Sequence, residues 1–149
     1  MNRTNDPQNG VARAVAVVGL AGVALIHVLD AHNTFLSSAD NGWLYVGLIA
    51  ATLGSAAVLL RRDDARAWIA AGLFPLGAFL AFVYSRTVGL PGGADDIGNW
   101  WEPLGLSSLF VEGVLVLLSA SVLLERARAL APHRFPKGRL RFQADGSAR

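Results

Sequence analysis

The residue with the clearest chemical meaning is Glu112, a carboxylate inside a long apolar stretch of the sequence. It lies about 12 Å beyond Leu104, the start of that stretch, if the stretch is helical at 1.5 Å per residue. A carboxylate at that depth in a membrane is costly and usually faces the interior of a bundle or a wet cavity. Gly105, Ser108 and Ser119 share its face at about 100° per residue. Glu112 is therefore either a polar contact between helices or part of a site, and the sequence leaves both readings open.

Three more polar side chains fall at a similar level of other apolar stretches. His27 and Asp30 close the first stretch, and Arg86 closes the third. Side chains on a helix lean towards its N-terminus, so His27, Arg86 and Glu112 would all lean towards a common level of the bundle. We therefore predict a ligand or ion site formed by His27, Asp30, Arg86 and Glu112.

A metal site is the alternative interpretation of the same region. It would use His27, His32 and Glu112 as ligands, and a divalent metal is the cofactor it implies. The two histidines point about 140° apart on a continuous helix, so this site requires the first helix to end near Ala31. The sequence identifies no cofactor by itself.

Four apolar segments must position these residues. Charged residues make up 16% of the chain, compared with about 25% in soluble domains, and a bilayer is crossed by about 20 helical residues. The pattern predicts an all-α bundle of four transmembrane helices in a single domain over 11–125, with spans at about 11–30, 43–60, 67–86 and 104–124. A disordered segment over 1–10 and a basic cytoplasmic tail over 126–149 flank it.

Basic residues indicate the orientation of this bundle. Short cytoplasmic loops are enriched in arginine and lysine, and one side of the predicted bundle carries nearly all of them. Arg86 is the exception, and it lies among loop acids on the opposite side. We therefore predict a multi-pass protein of the plasma membrane with both termini in the cytoplasm. The basic residues on the cytoplasmic side are Arg3, Arg13, Arg61, Arg62, Arg66, Arg126, Arg128, Arg134, Lys137, Arg139 and Arg141.

The segment 85–113 (SRTVGLPGGADDIGNWWEPLGLSSLFVEG) carries a resemblance. It rests on Arg86, the run Gly89-Leu90-Pro91-Gly92, the run Trp101-Glu102-Pro103-Leu104-Gly105, and Glu112. On these residues, about a fifth of the chain, the sequence resembles a group of uncharacterised small membrane proteins of high-GC Gram-positive bacteria. The resemblance implies a four-helix membrane fold and indicates no activity.

No nucleotide-binding, hydrolase or zinc-protease motif is present in the sequence, and cysteine is absent. The leading hypothesis is a non-enzymatic accessory protein or small-ligand or ion-binding component of the membrane. A small metal-binding enzyme or redox protein, and an oligomeric proton-coupled transporter with Glu112 titrating, remain as alternatives. The expected partners are the lipid bilayer, anionic lipid headgroups at the basic tail, and a second copy or another membrane protein. Nucleic acid is not expected.

Overall fold

The computed structural model describes residues 7–91 and 96–131, with side chains described from residue 9 onwards. The four long elements of this part of the chain are α-helices, which confirms the all-α prediction. They are α1 (Pro7–Ser37), α2 (Ala39–Arg61), α3 (Ala65–Thr87) and α4 (Pro103–Leu130). All four are long and apolar enough to cross a membrane. The chain is therefore a multi-pass membrane protein with four candidate spans, as predicted.

Short polar residues cap two of the helices, and a proline begins a third. Ser38 lies between α1 and α2, and its side chain accepts a hydrogen bond from the backbone N–H of Asn41. Asp64 does the same for α3 by accepting from the N–H of Ala67 at 2.9 Å. Pro103 occupies the first turn of α4, where its missing N–H costs nothing. The first two turns are very short, and the one longer connection runs from α3 to α4.

The helices extend further than the predicted spans. α1 runs to Ser37, beyond the predicted end at residue 30, and in this extension the hydroxyls of Thr34 and Ser37 donate to carbonyls of the preceding turn. It also begins at Pro7, within the segment 1–10 predicted to be disordered. α4 continues to Leu130, which includes the first residues of the predicted tail. Residues 1–6 and 132–149 lie outside the described part of the chain.

The helices form a bundle in which each neighbour in sequence is also a neighbour in space. α1 packs closely against α2 and also against α4, α3 packs mainly against α4, and α2 and α3 are in looser contact. We call the end with the α1–α2 turn and the α3–α4 connection the cap end. The end with the α2–α3 turn and both chain termini is the tail end.

The apolar core fills the tail half of the bundle. Leu20, Leu59, Trp68 and Leu115 are at most 1% exposed. Small residues surround these large ones, although an open groove of about 590 Å³ lies between α2 and α3 at this end. The buried core consists of Ala16, Leu20, Val23, Ala56, Leu59, Ala67, Trp68, Ala71, Leu115 and Val122.

Polar contacts hold the helix ends together at the tail end. Asp63 accepts hydrogen bonds from the indole N–H of Trp68 at 2.7 Å and from the guanidinium of Arg126. Arg126 also donates to the backbone carbonyl of Asp63 at 3.0 Å, and Arg13 donates to the carbonyl of Leu60. Burial by itself raises the pKa of Asp63, but these hydrogen bonds and the nearby positive charges outweigh it and hold the pKa below its ordinary value.

Candidate ligand-binding cavity

A cavity of about 610 Å³ occupies the cap half of the bundle. All four helices and the α3–α4 connection border it. Leu44 of α2 and Leu73 of α3 line it yet are 65% and 57% exposed, so the cavity is open between these loosely packed helices. Its polar lining includes His27, Asp30, Tyr45, Arg86, Glu102 and Glu112. The four residues predicted to form a ligand or ion site therefore border one cavity.

Glu112 lies at the deep end of this cavity. Glu112 is only 1% exposed. Ser108, one turn earlier on α4, donates a hydrogen bond to its Oε1 at 2.7 Å. Oε2 has no hydrogen-bond partner among the residues that the structure describes. A buried acceptor without a partner is costly, so this oxygen is available to a donor that enters the cavity. The predicted polar face of α4 is buried as a whole, at Gly105, Ser108, Glu112 and Ser119.

His27 of α1 approaches Glu112 from another helix. Its Nδ1 lies 2.9 Å from the carbonyl oxygen of Val23. Because a carbonyl can only accept, Nδ1 carries the hydrogen, and the neutral ring then has its lone pair on Nε2. Nε2 lies 4.0 Å from Oε1 of Glu112, which is too long for a direct hydrogen bond. The edge of the ring meets Tyr45, with ring centroids 4.7 Å apart.

Asp30 and Tyr45 form the wall between α1 and α2. The Tyr45 hydroxyl donates to Oδ2 of Asp30 at 3.1 Å. Sequence reasoning placed Asp30 in the site but did not include Tyr45. The signal for Tyr45 was weak, because a tyrosine near a helix end is also typical of the interfacial aromatic belt.

Arg86 closes the cap end of the cavity. It is 6% exposed, and its guanidinium contacts Asp96 at 2.5 Å and Glu102 at 2.6 Å while lying 4.6 Å from the ring centre of Phe82. The N–H of Gly98 donates to the Arg86 carbonyl at 2.9 Å. Arg86 thus fastens the α3–α4 connection to α3, and both of its ion-pair partners come from that connection.

The surroundings of Glu102 change the pKa of its carboxyl group. Partial burial raises its pKa, and the negative charge of Asp30 raises it further, although the charge of Arg86 opposes both. Around Arg86 the described lining contains three acids at the cap end, Asp30, Asp96 and Glu102.

The structure does not assemble the predicted metal site. His32 is exposed, because α1 continues as a helix past Ala31 and carries His32 away from the face of His27. Over residues 7–91 and 96–131, no group of three or more histidine, aspartate or glutamate side chains could hold a metal ion. Over these residues the structure does not bring His27, His32 and Glu112 together, and the divalent-metal alternative stays a prediction that this geometry does not favour.

The layer beneath the cavity is apolar. Leu115 lies one turn from Glu112 towards the tail end, and Leu20 lies two turns from His27 in the same direction. Both are fully buried beside Trp68. The cavity is therefore closed towards the tail end and open between α2 and α3, towards the lipid.

No known protein family, no curated protein and no solved structure matches the chain.

Proposed function

We propose that this chain is a non-enzymatic ligand-binding protein of the plasma membrane. Its ligand is a small amphipathic molecule held in the cavity of the cap half. The observation that carries the proposal is Oε2 of Glu112, a buried acceptor without a partner among the described residues, on the wall of a cavity of about 610 Å³. Cavities of roughly 300–1,000 Å³ with apolar walls and a few polar groups are typical of small-molecule sites.

The shape of the cavity supports binding over transport or metal catalysis. Leu20, Trp68 and Leu115 close its tail side, so a transported species would need the core to rearrange. The metal alternative has less support because His32 lies away from His27 and Glu112. The opening between α2 and α3 suits a ligand that arrives through the lipid.

A set of water-soluble probes with one body and different charges tests this proposal. The probes are 2-phenylethylamine, 2-phenylethanol and 3-phenylpropionate, added to the protein in lipid nanodiscs. At ten times its Kd, a probe that binds the folded state should raise Tm by about 3–5 °C. Ala78→Phe fills the cavity and should remove that increase, whereas Leu76→Phe, on a lipid-facing part of the same helix, should keep it. If no probe raises Tm, or if Ala78→Phe responds like wild type, the proposal is wrong.

We also propose that the cap end faces away from the cytoplasm, because the arginines of the described tail end outnumber those of the cap end. The absence of cysteine from the chain makes single-cysteine labelling straightforward. A membrane-impermeant maleimide should label Asp40→Cys in intact cells and label Leu130→Cys only after permeabilisation. The reverse pattern would overturn the orientation.

A further inference from the structure

The deep end of the cavity offers hydrogen-bond acceptors. Oε2 of Glu112 has no partner among the described residues, and Oε1 already accepts from Ser108. The neutral ring of His27 presents the lone pair of Nε2, because its N–H is used by the carbonyl of Val23. A ligand that fits this end must therefore bring hydrogen-bond donors.

Acidic groups also outnumber basic groups around the cavity. Its described lining contains four carboxylates, on Asp30, Asp96, Glu102 and Glu112, but one guanidinium, on Arg86. That guanidinium is already paired with Asp96 and Glu102. His27 would balance one more carboxylate only in its protonated form. At least one carboxylate then has no cationic partner in the lining, and a buried charge without a partner is unfavourable.

The remaining walls are apolar and wide. Leu44, Leu48, Leu73 and Phe74 line the side that opens between α2 and α3. A bare metal ion would leave these walls without a partner, and the described residues hold no group suited to a metal. A ligand with an apolar body would fill the cavity and cover them.

We propose that the cavity binds a protonated primary amine carried on an apolar body. The ammonium group donates to Oε2 of Glu112 and to Nε2 of His27, and Asp30 contributes negative charge nearer the cap end. The apolar body lies along Leu44, Leu48 and Leu73. An ammonium has three donors and no acceptor, which matches a pocket end made of acceptors. This inference rests on the proposed function, since it names the ligand class of the same cavity.

The same probes test it by isothermal titration in nanodiscs. 2-Phenylethylamine should bind at least tenfold more tightly than 2-phenylethanol, and 3-phenylpropionate should bind more weakly still, because hydrogen bonds to charged groups are the stronger ones. The trimethylammonium analogue of the amine has the same charge and no donors. It should lose about tenfold in affinity if hydrogen bonds to Glu112 and His27 matter.

Three substitutions locate the effect. Glu112→Gln keeps the size of the side chain and removes its charge, and it should weaken amine binding by about tenfold or more. Asp30→Asn should weaken it by about threefold through the loss of one nearby charge. Asp40→Asn is the matched control, since Asp40 lies at the same end of the bundle but outside the cavity lining, and it should leave the affinity within about twofold of wild type.

The outcomes separate this inference from the proposed function. If no probe binds, the proposed function fails and the amine inference fails with it. If the alcohol or the carboxylate binds as well as the amine, the cavity is a site but the amine inference is wrong. The same conclusion follows if Glu112→Gln and Asp30→Asn both bind the amine like wild type while remaining folded by their thermal unfolding. Tight amine binding that falls in both variants and persists in Asp40→Asn supports the inference.

Discussion

The two halves of this bundle are built by the same four helices but differ in how closely the helices approach. Two glycines of α3 show the difference. A Cβ built on Gly72, in the tail half, would lie 2.9 Å from Cβ of Ser119 on α4, whereas a Cβ on Gly77, beside the cavity, would meet none of the described residues within 4 Å. In lipid, helices associate through close packing and polar contacts, since apolar burial offers little gain there. The close approach of α3 to α4 at Gly72 therefore contributes to stability in the tail half, and the cavity lies beside Gly77, where α3 has more space around it.

The largest expected effect comes from removing packing in the tail half. Leu115→Ala should lower the free energy of unfolding by about 1–3 kcal/mol, because Leu115 is fully buried against α1 and the cavity left behind loses its contacts. Leu44→Ala, on the cavity wall, should change it by less than about 0.5 kcal/mol. Unfolding in mixed micelles with increasing dodecyl sulfate measures both. Equal losses would mean that the two halves do not differ in their contribution to stability.

An intermediate effect is expected from the two glycines. Gly72→Ala should destabilise the protein by about 1 kcal/mol, because the added methyl forces α3 away from Ser119. Gly77→Ala adds the same methyl to the same helix and should be neutral or slightly stabilising, since alanine is the better helix former and nothing is in its way. The same unfolding assay compares them. A destabilised Gly77→Ala beside an unaffected Gly72→Ala would reverse the assignment of the close-packed half.

The smallest effect concerns one acid at each end of the bundle. As pH falls, Asp63 should lower the free energy of unfolding and Glu102 should raise it. The pKa of Asp63 is lowered in the folded protein, so its contribution to stability is present above the ordinary aspartate pKa and is lost as pH falls below about 4. The pKa of Glu102 is raised, so its contribution is present below the ordinary glutamate pKa and is lost as pH rises through the higher folded value. Each should amount to about 1 kcal/mol or less.

Substituting one of the two acids should leave the pH dependence of stability that comes from the other. Asp63→Asn should remove the tail-end part of the loss below about pH 4, and Glu102→Gln should make the loss of stability in acid steeper than in wild type. Tm measured from pH 3 to 7 in nanodiscs provides the comparison, with the exposed Asp40→Asn as a control that keeps the wild-type profile. Parallel profiles for Asp63→Asn and Glu102→Gln would contradict the opposite signs.

The sequence predicted the fold well because lipid imposes a simple pattern. A long apolar run and a capped polar turn are local features, so four helices near the predicted spans could be expected. Helix length beyond the apolar run could not, because the polar residues after Asp30 continue α1 without any signal in hydropathy. The length of α1 matters for the metal hypothesis, which required this helix to end near Ala31.

The candidate site was predictable only in part, because local spacing does not determine contacts between helices. Helical spacing identifies which residues share a face, and it correctly grouped Glu112 with Ser108 and Ser119 on the buried face of α4. Which side chain a residue meets across the bundle depends on the rotation and tilt of the neighbouring helices, which spacing does not contain. Arg86 was expected beside His27 and Glu112, and instead it pairs with Asp96 and Glu102 of the α3–α4 connection.

The apolar layer beneath the cavity also has an electrical consequence. An ion bound at Glu112 would lie about 13 Å from the start of α4 at 1.5 Å per residue, in a hydrocarbon layer of about 30 Å. The closed tail half, with Leu20 and Leu115 fully buried, therefore carries most of any transmembrane voltage. A monovalent cation that reaches Glu112 crosses less than half of the field, so 100 mV would change its binding free energy by at most about 1 kcal/mol.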